Sequence, residues 1–199
     1  LPPASRTVES GGDGYDEFTG GGGFDQVLAT EDNMAIGLDR NYSGGVETIS
    51  ADGHEGVTVR GTNSSQSLDF SGTTLDGIEA IEGAGGHDTI TGSAGNDTIR
   101  GGTGNDNLFG GEGDDTFLFG FGDGADEVYG GAGSDWTDVI SLEGMGTAPG
   151  GGDWTISIGD GSIADTEPDH LVLTEDTAGT ITLSDGSTID FEGIERIEW

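Results

Sequence analysis

Cysteine and lysine are absent from the 199 residues, proline occurs four times, and beyond three histidines the basic side chains are Arg6, Arg40, Arg60, Arg100 and Arg196 alone. Without lysine there is no P-loop phosphate cradle and no Schiff-base chemistry, and five arginines among 39 acids give no electrostatic grip on nucleic acid. Without cysteine there is no disulfide, no zinc-thiolate site and no thiol nucleophile. No run of 18 apolar residues offers a membrane span. H-E-x-x-H is missing, and His54, His87 and His170 are scattered with no G-x-S-x-G elbow beside them, so no catalytic residue is assigned. The opening Leu1-Pro2-Pro3 shows neither an initiator methionine nor a signal peptide, which reads as a fragment or a processed product. A hydrophobic content of 31% with a formal charge of −34 would by itself describe a disordered polymer.

What the chain does have is glycine, 42 of them, in a rhythm. Four consecutive units run GAGGHDTIT (Gly83 to Thr91), GSAGNDTIR (Gly92 to Arg100), GGTGNDNLF (Gly101 to Phe109) and GGEGDDTFL (Gly110 to Leu118). Each has glycine at positions 1 and 4, aspartate at position 6 and an apolar residue at position 8. Six glycine-dense residues suit a tight turn with positive φ, and the three that follow alternate polar, apolar, polar as a short strand with its middle side chain inward. Two units then close one flattened coil, and unit n stacks on unit n+2 with strands about 4.8 Å apart. That brings Asp88 over Asp106 and Asp97 over Asp115. Two bare carboxylates about 5 Å apart repel by roughly 3 kcal/mol at an effective dielectric near 20. A hard divalent cation held by six to eight oxygens, as calcium requires, reverses the sign. The plainer reading of each aspartate is a turn former.

Two earlier units, GGDGYDEFT (Gly11 to Thr19) and GGGGFDQVL (Gly20 to Leu28), fit the same pattern and add Asp16 and Asp25. Residues 29–82 span three lengths of 18 and read as degenerate coils that keep the period, with a small β insert as the alternative. After Leu118 the phase slips by two residues. FGDGADEVY (Phe121 to Tyr129) then places Asp126 over Asp106, and GGAGSDWTDVI (Gly130 to Ile140), with a lengthened strand, places Asp135 over Asp115. Residues 144–153 read as a connector around Pro149. Beyond it Trp154, Ile156 and Ile158 alternate, Leu171 to Leu173 forms a second strand, and Ile181 to Leu183 with Ile189 to Phe191 flank a turn at 184–187 as a hairpin. The expected fold is all-β: a right-handed parallel β-roll, a form of β-solenoid, with a small C-terminal β cap. Its parts are a leader over 1–10, the roll over 11–143, the connector, and the cap over 154–199. An internal echo links the cap to the roll: Leu68-Asp69-Phe70 with Gly77 to Ile81 resembles Ile189-Asp190-Phe191 with Gly193 to Ile197.

The units at 11–28 and 83–118, with the weaker ones to Ile140, resemble the RTX, or hemolysin-type, calcium-binding nonapeptide repeat family. The resemblance implies several Ca²⁺ ions held by position 6 carboxylates and turn carbonyls. For Asp88 and Asp106 the carbonyls would be those of Gly83, Gly85, Gly102 and Gly104; for Asp97 and Asp115, those of Gly92, Ala94, Gly111 and Gly113. Gly122 and Gly124 with Asp126, and Gly131 and Gly133 with Asp135, would extend the series. Ala84 and Ser93 replace glycine at position 2, which the turn accommodates if φ stays negative there. His87 reads as a solvent-facing spacer. The family further implies a bacterial protein exported by type I secretion, extracellular or at the surface, that folds on meeting calcium and acts as a structural or adhesive scaffold with surface or matrix partners. The alternatives are the appendage of a secreted hydrolase, or the segment before a self-processing Hint-type domain.

Overall fold

A computed structural model of the chain describes residues 6–10, 15–16, 18, 22–39, 41–131, 136–146, 152–175 and 177–199, the first seven of these as backbone only. The described residues form strands and no helix, so none crosses a membrane as a helix. The strands stack in parallel as rungs of a solenoid.

Strand alternation explains the core. Positions 6 and 8 of a unit, and position 1 of the next, share the inward face. Ile90, Ile99, Leu108 and Phe117, the four position 8 residues, are accordingly buried without exposed surface. Register joins them into two columns. Along the ten-stranded sheet Ile36, Val59, Ile81, Ile99, Phe117, Ile140 and Ile197 follow one another. Along the eight-stranded sheet the column is Leu68, Ile90, Leu108, Val128 and Phe191. Each such side chain contributes about 1.5–3 kcal/mol by leaving water.

Coil length sets the number of sheets. In the nonapeptide stretch a rung advances 18 residues, which affords two turns and two strands. Before it a coil takes 22 to 26 residues, and the surplus builds a third strand. A four-stranded sheet of Arg6–Ser10, Asp25–Ala29, Thr48–Ser50 and Thr74–Asp76 results, ending where the nine-residue rhythm begins. Residues 29–82 therefore continue the solenoid, but as wider three-strand coils rather than three coils of 18. Residues 6–10, expected as a leader, already pair with Asp25–Ala29.

The C-terminal segment also differs from expectation. After Val139–Leu142 the chain leaves the roll, forms Trp154–Asp160, Ile163–Thr166, His170–Leu173 and Ala178–Leu183, and returns. Thr188–Glu192 then pairs in parallel with Ala125–Tyr129, and Arg196–Glu198 with Val139–Leu142, as one more coil. The antiparallel strands close the end of both sheets by pairing onto these two. The expected cap is thus part cap and part last coil. That accounts for the sequence echo, since Ile81 and Ile197 occupy one column of the core. Of the expected connector, residues 147–151 lie outside the described residues.

Candidate metal centre

Because position 6 faces inward beside position 8, its carboxylate is buried at the edge where turn meets strand. Asp88, Asp106 and Asp126 form one column along the eight-stranded sheet, the first two just before a strand and Asp126 within Ala125–Tyr129, and each is at most 3% exposed. Asp97, Asp115 and Asp138 form the other, preceding strands of the ten-stranded sheet. The predicted neighbours Asp88/Asp106, Asp97/Asp115 and Asp106/Asp126 are therefore brought together.

They are not bare. The Asp88 amide donates to Asp106 Oδ1 at 2.8 Å, and the Asp106 amide to Asp126 Oδ1 at 2.9 Å. On the other edge the Asp97 amide donates to Asp115 Oδ1 and the Asp115 amide to Asp138 Oδ1, both at 2.9 Å. One oxygen of each acceptor is thus held by the rung before it, a charge-assisted bond that offsets part of the repulsion. The other oxygen is left over. Oδ2 of Asp88, Asp106 and Asp115 is buried with no hydrogen-bond partner. A buried polar atom without a partner costs about 1–3 kcal/mol, more when charged. Burial pushes the Asp88 and Asp138 carboxyls up to about 6 and those of Asp115 and Asp126 up to about 7, with neighbouring carboxylates adding to the rise.

Position 1 must be glycine because it lies against both a carbonyl of the next rung and this carboxylate: a Cβ on Gly83 would come within 2.5 Å of the Gly101 carbonyl and 2.7 Å of Asp88 Oδ2, and one on Gly92 closer still to the Gly110 carbonyl and within 2.7 Å of Asp97 Oδ2. Turn carbonyls line the same edges. The Gly101 carbonyl faces Gly83, that of Ala84 faces Gly102, and those of Gly86 and Gly104 face Gly104 and Gly124 of the following rungs. Among the described residues no three His, Asp or Glu side chains converge on one point, so a cation here needs carboxylates of successive rungs together with main-chain oxygens. Hard, acidic, oxygen-only donors of this kind fit calcium.

Several sequence expectations change. Asp138 stands beside Asp115; Asp135, the residue expected there, lies outside the described residues together with Gly133. Val139 pairs with Thr116, and the strand of that unit begins at Val139. The signal was present: Asp138-Val139-Ile140 keeps the order acid, spacer, apolar, whereas Asp135 is followed by Trp136-Thr137. Asp25 stands in neither column. It opens a strand of the four-stranded sheet, and its amide donates to Glu47 Oε2 at 2.7 Å, so a glutamate takes the next place there. Asp16 pairs with Leu38, which supplies no carboxylate to the adjoining rung.

The two position 2 replacements behave differently. Ala84 adopts φ +79°, contrary to the expected negative value, a left-handed conformation that costs a non-glycine residue about 1–2 kcal/mol. Ser93 stays out of that region; its amide donates to Asp97 Oδ2 at 2.5 Å and its hydroxyl accepts from the Gly95 amide at 3.1 Å. The oxygen left over in the sister positions is therefore occupied at Asp97. The donor is a main-chain N–H, so Ser93→Gly keeps this bond and is expected to leave calcium affinity at Asp97/Asp115 within about two-fold of the parent chain; a calorimetric titration against the parent chain checks this.

His87 is exposed but is more than a spacer. Its Nδ1 accepts from the Asn105 amide at 2.9 Å, as Asn96 Oδ1 accepts from Asp114 and Asn105 Oδ1 from Ala125. Position 5 thus makes a second, solvent-side ladder in which the later rung donates to the earlier one. The buried ladder runs the other way. His54 and His170 each pair with an exposed aspartate at the surface, Asp32 and Asp169.

Stacked acidic turns on a parallel solenoid place the chain among the repeat proteins. Within that class the chain carries RTX calcium-binding nonapeptide repeats: residues 76–121 and 122–137 match the model of that repeat family, in four copies. No curated protein and no solved structure matches the chain. The repeat is a structural, calcium-binding element and not a catalytic one.

Proposed function

We propose that calcium occupies the inter-rung spaces of both carboxylate columns: Asp88/Asp106 and Asp106/Asp126 on one edge, Asp97/Asp115 and Asp115/Asp138 on the other. Carbonyl oxygens of the turns complete each set, drawn from Gly83, Gly85, Gly102, Gly104, Gly122 and Gly124 on the first edge and from Gly92, Ala94, Gly111, Gly113 and Gly131 on the second. The observation that carries this is the buried, unpartnered Oδ2 of Asp88, Asp106 and Asp115. On this reading the chain is a calcium-loaded module of a secreted, extracellular or surface protein, folding when it leaves a calcium-poor compartment and serving as a structural and adhesive scaffold. Its composition suits that route. No cysteine can be trapped in a wrong disulfide, and a charge of −34 keeps the metal-free chain expanded and soluble. Binding free energy then becomes folding free energy.

Metal content of the folded protein, with anomalous scattering to place each ion, tests the assignment. Ions in all four spaces are expected. A chain that is folded at pH 7.5 without metal, or with ions away from both columns, refutes it.

A further inference from the structure

The outer face of the eight-stranded sheet carries a feature that calcium does not use. Register lines up the outward side chains Thr91, Phe109, Tyr129, Glu192, Ala178 and Asp160 in one row, with Asn107, Glu127, Asp190 and Thr180 in the row beside it. Phe109 and Tyr129 stack, ring centroids 4.9 Å apart and planes 7° from parallel. The stack covers one face of the Tyr129 ring. On its far side the row falls to Ala178, flanked by Gly179 and Gly159, and an open cleft of about 350 Å³ results. A register shift between Ile158 and Asp160 puts Gly159 at a β-bulge, an irregularity that re-aims the side chain after it, here Asp160.

The rim of this cleft is acidic and only acidic: Glu127, Asp160, Asp190 and Glu192 are its charged residues, all exposed. Arg60, Arg100 and Arg196 lie on the ten-stranded sheet, each against a glutamate there, at Glu82, Glu143 and Glu198. Two acids are held in place locally, Glu127 Oε2 by the Tyr129 hydroxyl at 3.2 Å and Asp190 Oδ1 by the Thr180 hydroxyl at 2.6 Å. The field of Glu127 raises the Tyr129 phenol above its usual range. An aromatic wall, a floor of alanine and glycine, and a rim of acceptors exclude an anionic guest. They match a cation that is flat or methylene-rich behind its charge, since such a group gains both the ring and the carboxylates.

We propose that this cleft binds the guanidinium or ammonium side chain of a basic peptide segment, seated against Tyr129 and paired with Glu192 and Glu127. The site does not depend on how calcium is held, except that the rung bearing Tyr129 must be folded. The test uses the whole chain in calcium at 150 mM salt, which screens charges farther apart than about 8 Å. The probe is acetyl-Gly-Arg-Gly-Arg amide, and its counterpart with citrulline in place of arginine keeps the shape without the charge. Calorimetry should show the arginine peptide binding at least about ten-fold more tightly than the citrulline one. Tyr129→Ala should lose about ten-fold and Glu192→Gln several-fold, Tyr129→Phe should retain binding, and Glu167→Gln, an exposed acid outside the cleft, should leave it unchanged. If Tyr129→Ala does not fold, the contrast between Glu192→Gln and Glu167→Gln decides. Equal binding by that pair, equal binding of the citrulline peptide, or Tyr129-dependent binding of maltotetraose in place of the arginine peptide would each overturn the proposal.

Discussion

Stripped of calcium at pH 7.5, the chain is expected to lose its β circular dichroism and behave as an expanded coil, and to regain the fold on addition of millimolar calcium. The size of the effect follows from linkage. A site filled at 100 times its Kd stabilises the native state by about 2.7 kcal/mol, so four inter-rung ions contribute about 11 kcal/mol. That is as large as the whole stability of an ordinary domain, about 5–15 kcal/mol. Opposing it are the buried carboxylates, whose unpartnered oxygens and mutual repulsion act without relief once the cation leaves. Identical spectra in chelator and in calcium at pH 7.5 would defeat the assignment of the columns as calcium sites.

The same prediction has a pH arm with a definite sign. In the metal-free fold the carboxyls of Asp88 and Asp138 sit at about 6 and those of Asp115 and Asp126 at about 7, against an ordinary value of 3.8. The folded chain then holds more protons than the unfolded one between those values, and stability falls as pH rises. What protonation contributes is fully present below pH 3.8 and is lost as pH climbs through 6 and 7. Calcium acts oppositely, since it requires the ionised carboxylates and competes with protons. The gain in β circular dichroism on adding calcium should therefore be largest at pH 7.5 and markedly smaller at pH 5. A metal-free chain with more β circular dichroism at pH 7.5 than at pH 5 contradicts the burial of these acids.

Much of this arrangement was legible in the sequence because a strict period leaves little freedom. Nine residues allow one turn and one short strand, so the inward Ile90, Ile99, Leu108 and Phe117 and the stacking of Asp88 on Asp106 followed from counting alone. Where the count relaxes, so did the inference. Between Ala29 and Glu82 a coil of 22 to 26 residues has room for a third strand, and a total of 54 residues is equally divisible by the wrong length. In the unit that starts at Gly130, anchoring on the glycines selected Asp135, which lies outside the described residues, whereas anchoring on Ile140 would have selected Asp138. The return of Thr188–Glu192 and Arg196–Glu198 to the roll is non-local, visible only as the echo of Gly77 to Ile81 in Gly193 to Ile197. The main-chain bond from each aspartate to the carboxylate above could not be read at all, because it depends on the vertical offset between rungs and not on residue type.

That bond makes it possible to separate metal binding from scaffolding at one position. Asp138→Asn preserves an Oδ1 that accepts from the Asp115 amide, and it removes the charge. Ligand charge count sets calcium affinity over decades, so the space between Asp115 and Asp138 should lose at least about ten-fold in affinity while the strand Val139–Leu142 stays paired with Thr116–Phe119. The metal-free chain at pH 5, where the native carboxyl is largely protonated, should scarcely notice the change. Asp138→Ala goes further: it strands the Asp115 amide in a buried site and adds about 1–3 kcal/mol of destabilisation at either pH. Asp135→Asn is the control, and titrates as the parent chain does. One fewer ion in Asp138→Asn with the full complement in Asp135→Asn supports the geometry given above. The reverse pattern would return the ligand to Asp135.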